Sequence, residues 1–425
     1  MEPRLLAVIA AALLAFGAVS RKAERSPITP PIVFLGLGLA FGQAGLGWME
    51  LDVGHGVVHG MAELTLVIVL FIDASRIDLA CLRRERGLPI RLLGIGMPLT
   101  IALGGAVAFG VFPGLGWVEA MLLAAVLAPT DAALGQAVVS SPLVPVRIRQ
   151  SLNVESGLND GIALPVVLVF AALGGVMAGH PVEGGAAGWV TLALLQLTLG
   201  PLAGTAVGFL GGRLIGAATE RGWVNESFEE LAALGLALLA FAGAELIGGN
   251  GFIAAFVAGM VVGNTARGIC KSLYEFGEAE GQLLALLVFL VFGAVLVPAA
   301  WAYTDGPMVL YAVLSLTLVR MLPVALSLLG SGLHPVSLLF LGWFGPRGLA
   351  SILFALLVVQ AAGERDLHHF QATVTWTVLL STLLHGLTAY PLARRYGAYV
   401  SRRVEPDVHE HAAMTEHPVR HRHTG

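Results

Sequence analysis

The sequence predicts an all-α polytopic membrane protein of about 13 transmembrane helices, in two inverted repeats with the fifth and twelfth helices broken and crossing. Three observations lead there. The first is composition: the 425 residues are 56% hydrophobic and only 12% charged, with a mean hydropathy of +0.82, whereas soluble domains carry roughly 25% charged residues. At about 20 apolar residues per span, this length holds about a dozen spans and leaves no room for a large soluble domain. The second is continuity. Runs such as 338–359 are apolar on every face, which excludes a β-barrel, whose strands alternate polar and apolar over about ten residues. The third is the spacing of Lys and Arg, which gather in every second loop.

Polar clusters and Pro/Gly breaks cut the apolar sequence into successive segments. Helix 1 is expected at 5–19. Arg4 before it and Gly17-Ala18-Val19-Ser20 after it would suit a signal peptide, but no A-x-A site follows, and Arg21, Lys22 and Arg25 suit a topological anchor instead. Helices 2, 3 and 4 follow at 32–46, 57–72 and 92–112. Helix 5, at 118–139, contains Pro129, which removes a backbone donor and frees carbonyls around Ala128 and Thr130. Helix 6, at 152–176, carries the most intramembrane polar residues. Helices 7 to 11 are expected at 189–212, 231–247, 252–263, 282–297 and 308–329, with helix 7 linking two six-helix halves. Helix 12, at 337–359, is interrupted at Gly345-Pro346-Arg347-Gly348, and helix 13 spans 370–393. Broken helices at equivalent places in two halves are the signature of an inverted-repeat transporter with its site at the midplane. The match is topological; no residue-level repeat is visible.

Placing the loop after helix 1 inside makes every second loop inside. Those loops hold Arg21, Lys22, Arg25; Arg76, Arg83, Arg84, Arg86, Arg91; Arg147, Arg149; Arg213, Arg221; and Arg267, Lys271, and the tail adds Arg394, Arg395, Arg402, Arg403, Arg420 and Arg422, most of the 24 basic residues. Only Arg4 and Arg365 fall outside, while Arg320 and Arg347 lie within helices. The expected topology is therefore multi-pass, with the N-terminus outside and the C-terminus cytoplasmic. Residues 397–425 are polar and histidine-bearing and read as a disordered tail; their spacing gives no metal motif. With only Cys81 and Cys270 there is no disulfide framework. The basic residues form no groove-like patch, so no nucleic-acid partner is expected. The preponderance of Arg over Lys suggests a GC-rich bacterial source and a plasma (inner) membrane location.

A charge at the bilayer centre costs at least about 2.5–3.5 kcal/mol on insertion scales, so each intramembrane charge is a functional candidate. Helix 5 carries Asp131 in Ala128-Pro129-Thr130-Asp131. Helix 6 carries Glu155, Asn159 and Asp160 in Asn153-Val154-Glu155-Ser156-Gly157-Leu158-Asn159-Asp160-Gly161. Helices 11 and 12 carry Arg320 and Arg347. On helix 6, Ser156 and Asp160 share one face, and Glu155 and Asn159 share the adjoining one. A carboxylate with a hydroxyl below it suits a small dehydrated cation, which accepts carboxylate, hydroxyl and carbonyl oxygens alike. Glu155 and Asn159 could instead satisfy Arg320, since a guanidinium stays charged and needs a partner in hydrocarbon.

At these residues the sequence resembles the NhaP-type sodium/proton antiporters, relatives of the eukaryotic sodium/proton exchangers. The resemblance rests on Pro129-Thr130-Asp131, Glu155-Ser156-Gly157-Leu158-Asn159-Asp160-Gly161, Arg320 and Gly345-Pro346-Arg347-Gly348-Leu349-Ala350, and runs over about 5–395. It implies thirteen helices, a homodimer and a six-helix core moving against a scaffold. The corresponding regions are 1–75 for scaffold and dimerisation helices 1–3, 88–178 for core helices 4–6, 188–300 for linker and scaffold helices 7–10, 307–396 for core helices 11–13, and 397–425 for the tail. It also implies cation coordination by Asp160, Asp131, Ser156 and the Thr130 main chain with Glu155 nearby, structural pairing of Glu155 and Asn159 with Arg320, and accessory roles for Arg347, Pro129 and Pro346. The Asn159-Asp160 pair is similar to that of electroneutral members. The short tail departs from the animal exchangers, which carry a large regulatory domain.

The expected chemistry is competition. In a partly dehydrated site Asp160 needs either a proton or a cation, so the two exclude each other, and alternating access turns that exclusion into exchange of Na+, Li+ or K+ for H+. No cofactor is implied, and the ions are cargo rather than enzyme substrates. Other readings stand beside this one. Ser156 and Thr130 could bond back to their own helices. Arg347 either neutralises carbonyls exposed by the break or takes part in transport. Glu63 and Glu245 suit solvated or paired positions, Asp73 and Asp78 adjoin a basic loop, and His59 and His385 suit helix packing. An intramembrane aspartyl protease would also need two membrane carboxylates, but it has no use for Arg320 or the double break. A channel would want a continuous polar pore rather than one occluded cluster.

Overall fold

A computed structural model gives the three-dimensional structure and describes residues 3–23, 28–49, 56–77, 79, 87–131, 134–175, 185–266, 270–363 and 366–403. Among them there is no strand. In chain order the helices are α1 (Pro3–Ala23), α2 (Pro30–Phe41), α3 (Gly56–Ser75), α4 (Gly87–Val111), α5 in two pieces, α5a (Trp117–Val126) and α5b (Gln136–Val139), and α6 (Val146–Leu173). Then follow α7 (Gly185–Glu220), α8 (Glu226–Leu246), α9 (Gly251–Thr265) and α10, built from Cys270–Val291, Phe292–Leu296 and Val297–Trp301. The last are α11 (Gly306–Ser327, with a discontinuity at Thr317), α12a (Pro335–Trp343), α12b (Leu349–Ala362) and α13 (His368–Arg403). Among the described residues, six stretches are long and apolar enough to cross a bilayer: α4, α6, Leu194–Glu220, Gly281–Trp301, α11 and His368–Arg402. Shorter apolar helices include α5a and α12b.

Both breaks fall where the Pro and Gly residues place them. Elsewhere the boundaries differ from the apolar-run reading for identifiable reasons. α2 stops at Phe41 rather than 46, because the chain turns back and the Trp48 and Met49 amides donate to the Phe41 carbonyl at 3.0 and 2.9 Å. α10 starts at Cys270 rather than 282, since its first turns hold Lys271, Glu275, Glu278 and Glu280, which a hydropathy criterion passes over. α13 continues past 393 to Arg403, so 397–403 are helical rather than part of a disordered tail, because Tyr396 and Val400 are buried against the neighbouring elements. Pro98 and Pro298 each lack the N–H that would bond four residues back. Just ahead of each, one turn widens, with Met97 N donating to Leu92 O and Val297 N to Phe292 O. Cys81, Asp78, Arg365, the histidines of the tail and the side chain of His59 lie outside the described residues.

Two packing groups position the site. α4, α5, α6, α11, α12 and α13 pack on one another, and at one end a buried cluster of Leu88, Val138, Ile148, Val324, Phe340 and Tyr396 joins all six. The other helices meet through small residues that allow close backbone approach. Gly38 of α2 lies against Leu290 and Ala294 of α10, Gly204 and Gly208 of α7 against Ala254 and Ala258 of α9, and Gly259 and Gly263 of α9 against Phe71 and Ser75 of α3. α3 also touches α6 and α12b, so it borders both groups. Leu194, Leu202, Leu210 and Leu214 leave an exposed apolar stripe on α7, as a lipid-facing surface requires.

Candidate functional site

The site is built where the breaks in α5 and α12 cross. α5a ends at Val126 and α12b begins at Leu349, and the peptide groups freed at these ends are satisfied across the crossing. Asp131 N donates to Pro346 O at 2.8 Å, and Leu349 N donates to Asp131 Oδ2 at 2.8 Å. Ser351 Oγ donates to Val126 O at 2.8 Å, while Arg347 Nη1 donates to Ala128 O and, at 3.3 Å, to Pro129 O. The charges match the helix dipoles: an arginine at the carbonyl-rich end of α5a, a carboxylate at the amide-rich start of α12b. Arg347 is completely buried, and its own amide donates to Ser381 Oγ of α13 at 2.6 Å. Both carbonyls that Arg347 contacts through Nη1 belong to the non-helical stretch of α5.

Two glycines make the crossing possible. A Cβ at Gly345 would run into the Arg320 guanidinium, and one at Gly348 would run into the Asp131 carboxylate. Pro129 and Pro346 sit in the non-helical segments and contribute carbonyls, Pro129 to Arg347 and Pro346 to Asp131.

α6 passes beside this crossing. Ser156 Oγ donates to Thr130 O at 2.6 Å, and Asn159 Nδ2 donates to Thr130 Oγ1 at 2.6 Å. Neither Ser156 nor Thr130 therefore bonds back to its own helix; both join α6 to α5. Arg320 of α11 grips Glu155 with two parallel bonds, Nη1 to Oε1 at 2.5 Å and Nη2 to Oε2 at 2.9 Å, both side chains being buried. Asn159 does not share that pair, contrary to the pairing the resemblance implied. Glu155 already faces the guanidinium with both oxygens, and Asn159, one turn further along, reaches Thr130 instead. Asp131 and Asp160 are half-buried, and Oδ1 of Asp160 is shielded from solvent. Thr130, Asp131, Ser156 and Asn159 thus come together at one break, with Asp160 one turn beyond Ser156 on α6 and with Glu155 and Arg320 as a buried pair alongside.

Residues set aside on sequence grounds are placed as follows. Asp73 lies on α3, its carbonyl 3.8 Å from where a Cβ of Gly157 would stand, so α3 passes directly beside the Ser156 turn. Glu63 and Glu245 are exposed and line a cavity of about 490 Å³ between α3, α7, α8 and α9 on one side and α6 and α12b on the other, together with Gln196, Asn250 and Gln360. Glu245 Oε1 accepts the Gly251 amide at 2.8 Å. His385 is buried, with Nδ1 at 3.0 Å from the Ser381 carbonyl oxygen and its ring 5.0 Å from that of Trp343, a packed position.

Set beside known proteins, residues 9–395 match the family described as sodium/hydrogen exchanger, transmembrane. The K(+)/H(+) antiporter NhaP of Alkalimonas amylolytica is 28% identical over 378 residues, which cover 88% of this chain and 64% of that protein. The Na(+)/H(+) antiporter NhaP of Pseudomonas aeruginosa is 29% identical over 361 residues, covering 78% and 79% respectively. The chain spans 64% to 66% of the length of the K(+)/H(+) relatives it matches from Alkalimonas and Shewanella. Among solved structures, that of the sodium proton antiporter MjNhaP1 from Methanocaldococcus jannaschii at pH 8 superposes with a TM-score of 0.73 at 22% identity, over 93% of this chain and 99% of the other. The fold is the same.

Proposed function

Because the chain belongs to the sodium/hydrogen exchanger family, we propose that it is a secondary transporter that exchanges a monovalent cation for protons, with cation and proton competing at Asp160. The observation that carries this reading is the gathering of Thr130, Asp131 and Ser156 at a helix break, with Asp160 one turn beyond Ser156 on α6 and Glu155 already engaged by Arg320. Ser156 gives its proton to the Thr130 carbonyl, which leaves the hydroxyl lone pairs for a cation. Asp160 lies one turn along the same face and supplies the charge. Asp131 keeps one oxygen on the Leu349 amide, so it holds the crossing in place and contributes at most its second oxygen to an ion. Glu155, both oxygens on Arg320, serves the structure rather than the cargo.

The finer parts of the proposal follow from charge and geometry. With Asn159 neutral, Asp160 is the one carboxylate of its pair, which suits exchange of one cation for one proton. The protein works as a homodimer in the bacterial inner membrane, N-terminus outside and C-terminus cytoplasmic, with helices 4–6 and 11–13 carrying the site past the remaining helices as an elevator. Sodium or lithium is the proposed cargo. Potassium is the second reading, favoured by the K(+)/H(+) names of relatives at 28% and 26% identity.

The test is proton flux in proteoliposomes driven by Na+, Li+ or K+ in turn, with and without a clamped membrane potential. Wild-type protein is expected to show saturable, cation-dependent flux that does not respond to the clamp. Asp160→Asn is expected to abolish it while the protein stays folded and dimeric; persistence of the flux in that variant defeats the proposal.

A further inference from the structure

A second cavity, of about 600 Å³, opens at the end of the bundle where α6 begins and α13 ends. Its walls come from the 142–146 segment joining α5b to α6, from Arg149 one turn into α6, and from Arg394, Gly397, Ala398, Val400 and Ser401 on α13. Two features set its chemistry. Among the described residues, its charged lining residues are two arginines, Arg149 almost completely buried and Arg394 exposed at the rim, and none of them is acidic. The N-terminus of the 28-residue α6, which has no side-chain cap, lies at the same wall through Pro145 and Val146. Guanidinium groups and first-turn amides both favour a phosphate, the former through paired N–H donors and the latter through the dipole. The rest of the wall is apolar, formed by Pro142, Leu143, Val144 and Val400.

We propose that this cavity is an anion site that takes a phosphate group, and that its occupancy braces the elbow between α5 and α6 against α13. Basic pockets between helices at a membrane face take phospholipid headgroups, and the apolar wall suits a lipid; free phosphate shares the recognition chemistry. The bracing follows from connectivity. Gly397 of α13 already packs against the Leu143 backbone, and the elbow joins the two elements that carry Asp131, Ser156 and Asp160. A phosphate held by Arg149 on α6 and Arg394 on α13 would fasten both sides of that joint, away from the cation cluster itself.

The test reads binding and stability, not transport, so it stands or falls separately from the antiport proposal. Purified protein in a neutral detergent is titrated with short-chain phosphatidylglycerol, short-chain phosphatidylcholine or inorganic phosphate, following the melting temperature and hydrogen exchange over 140–146. A ligand that binds the folded state raises the melting temperature. Phosphatidylglycerol is expected to raise it by several degrees and to slow exchange in the elbow at least threefold, with phosphatidylcholine inert. Arg394→Gln is expected to remove most of the shift, as is Ala398→Phe, which fills the cavity without changing charge; these two variants serve should Arg149→Gln fail to fold. If inorganic phosphate reproduces the effect in full, the ligand is the free anion; if only the lipid acts, it is the headgroup. Equal shifts with both lipids, no shift with either anion, or a shift unchanged in Arg394→Gln and Ala398→Phe overturns the proposal.

Discussion

At Asp131 the main-chain amide and one carboxylate oxygen are both committed to α12, through Pro346 O and Leu349 N. That explains why Gly348 carries no side chain, since a Cβ there would meet the Asp131 carboxyl. Gly348→Ala is therefore expected to push the carboxylate off the α12b amides. Overpacking of this kind costs typically about 1–3 kcal/mol. Thermal melting should fall accordingly, and cation-driven proton flux should drop at least tenfold because the Thr130-Asp131 segment moves with the carboxylate. A variant with wild-type flux would show that the crossing tolerates the extra methyl and that Asp131 is not held as tightly as its contacts imply. Residue-scale legibility was uneven. The polar residue types and the i, i+4 faces of α6 could be read from spacing, but not the choice between Arg320 and Thr130 as the partner of Asn159, which depends on where α5 and α11 lie around α6.

Among elements, the breaks in α5 and α12 were legible because Pro129 and the Gly345-Pro346 pair interrupt otherwise apolar sequence, and Pro and Gly act on the backbone locally. The widened turns ahead of Pro98 and Pro298 and the polar first turns of α10 were not, because hydropathy registers neither a shifted hydrogen bond nor a helix that continues outside the apolar zone. Close helix contacts were also missed, although their signal is present as Gly or Ala at four-residue spacing. Gly259 and Gly263 put α9 against the Phe71 and Ser75 backbone, whereas Gly235 of α8 has nothing within 4 Å of its hypothetical Cβ. The two sites give a paired prediction. Gly235→Ala should be neutral or stabilising by about 0.4–1 kcal/mol through lower unfolded-state entropy. Gly259→Ala should destabilise by about 1–3 kcal/mol because the methyl meets a main-chain carbonyl that cannot step aside. Melting curves of the two variants in the same detergent compare them directly; equal shifts would remove backbone contact as the reason for that glycine.

At the scale of the whole molecule, the proposed transport cycle needs a boundary along which α4–α6 and α11–α13 slide past the other helices. The cavity lined by Glu63, Leu66, Gln196 and Glu245 on one side and by Leu168, Leu357 and Gln360 on the other lies on that boundary. Sliding must change its shape, so an object lodged in it should stop the cycle without touching Asp160. In a protein whose Cys81 and Cys270 are replaced by alanine, Leu357→Cys modified with a bulky maleimide is expected to lose at least nine-tenths of its cation-driven flux, while the unmodified variant retains it. The control is Leu194→Cys on the exposed face of α7, 58% accessible, where the same adduct should leave flux unchanged. Covering Glu63 and Glu245 could by itself slow cation entry, so the flux is read against cation concentration. A jammed boundary lowers the maximal rate at saturating cation, whereas an obstructed approach raises the half-saturating concentration and is overcome by more ion. Loss of maximal rate at Leu357 together with indifference at Leu194 places the moving surface between α3 and α12b, and full retention at both positions removes this boundary from the mechanism.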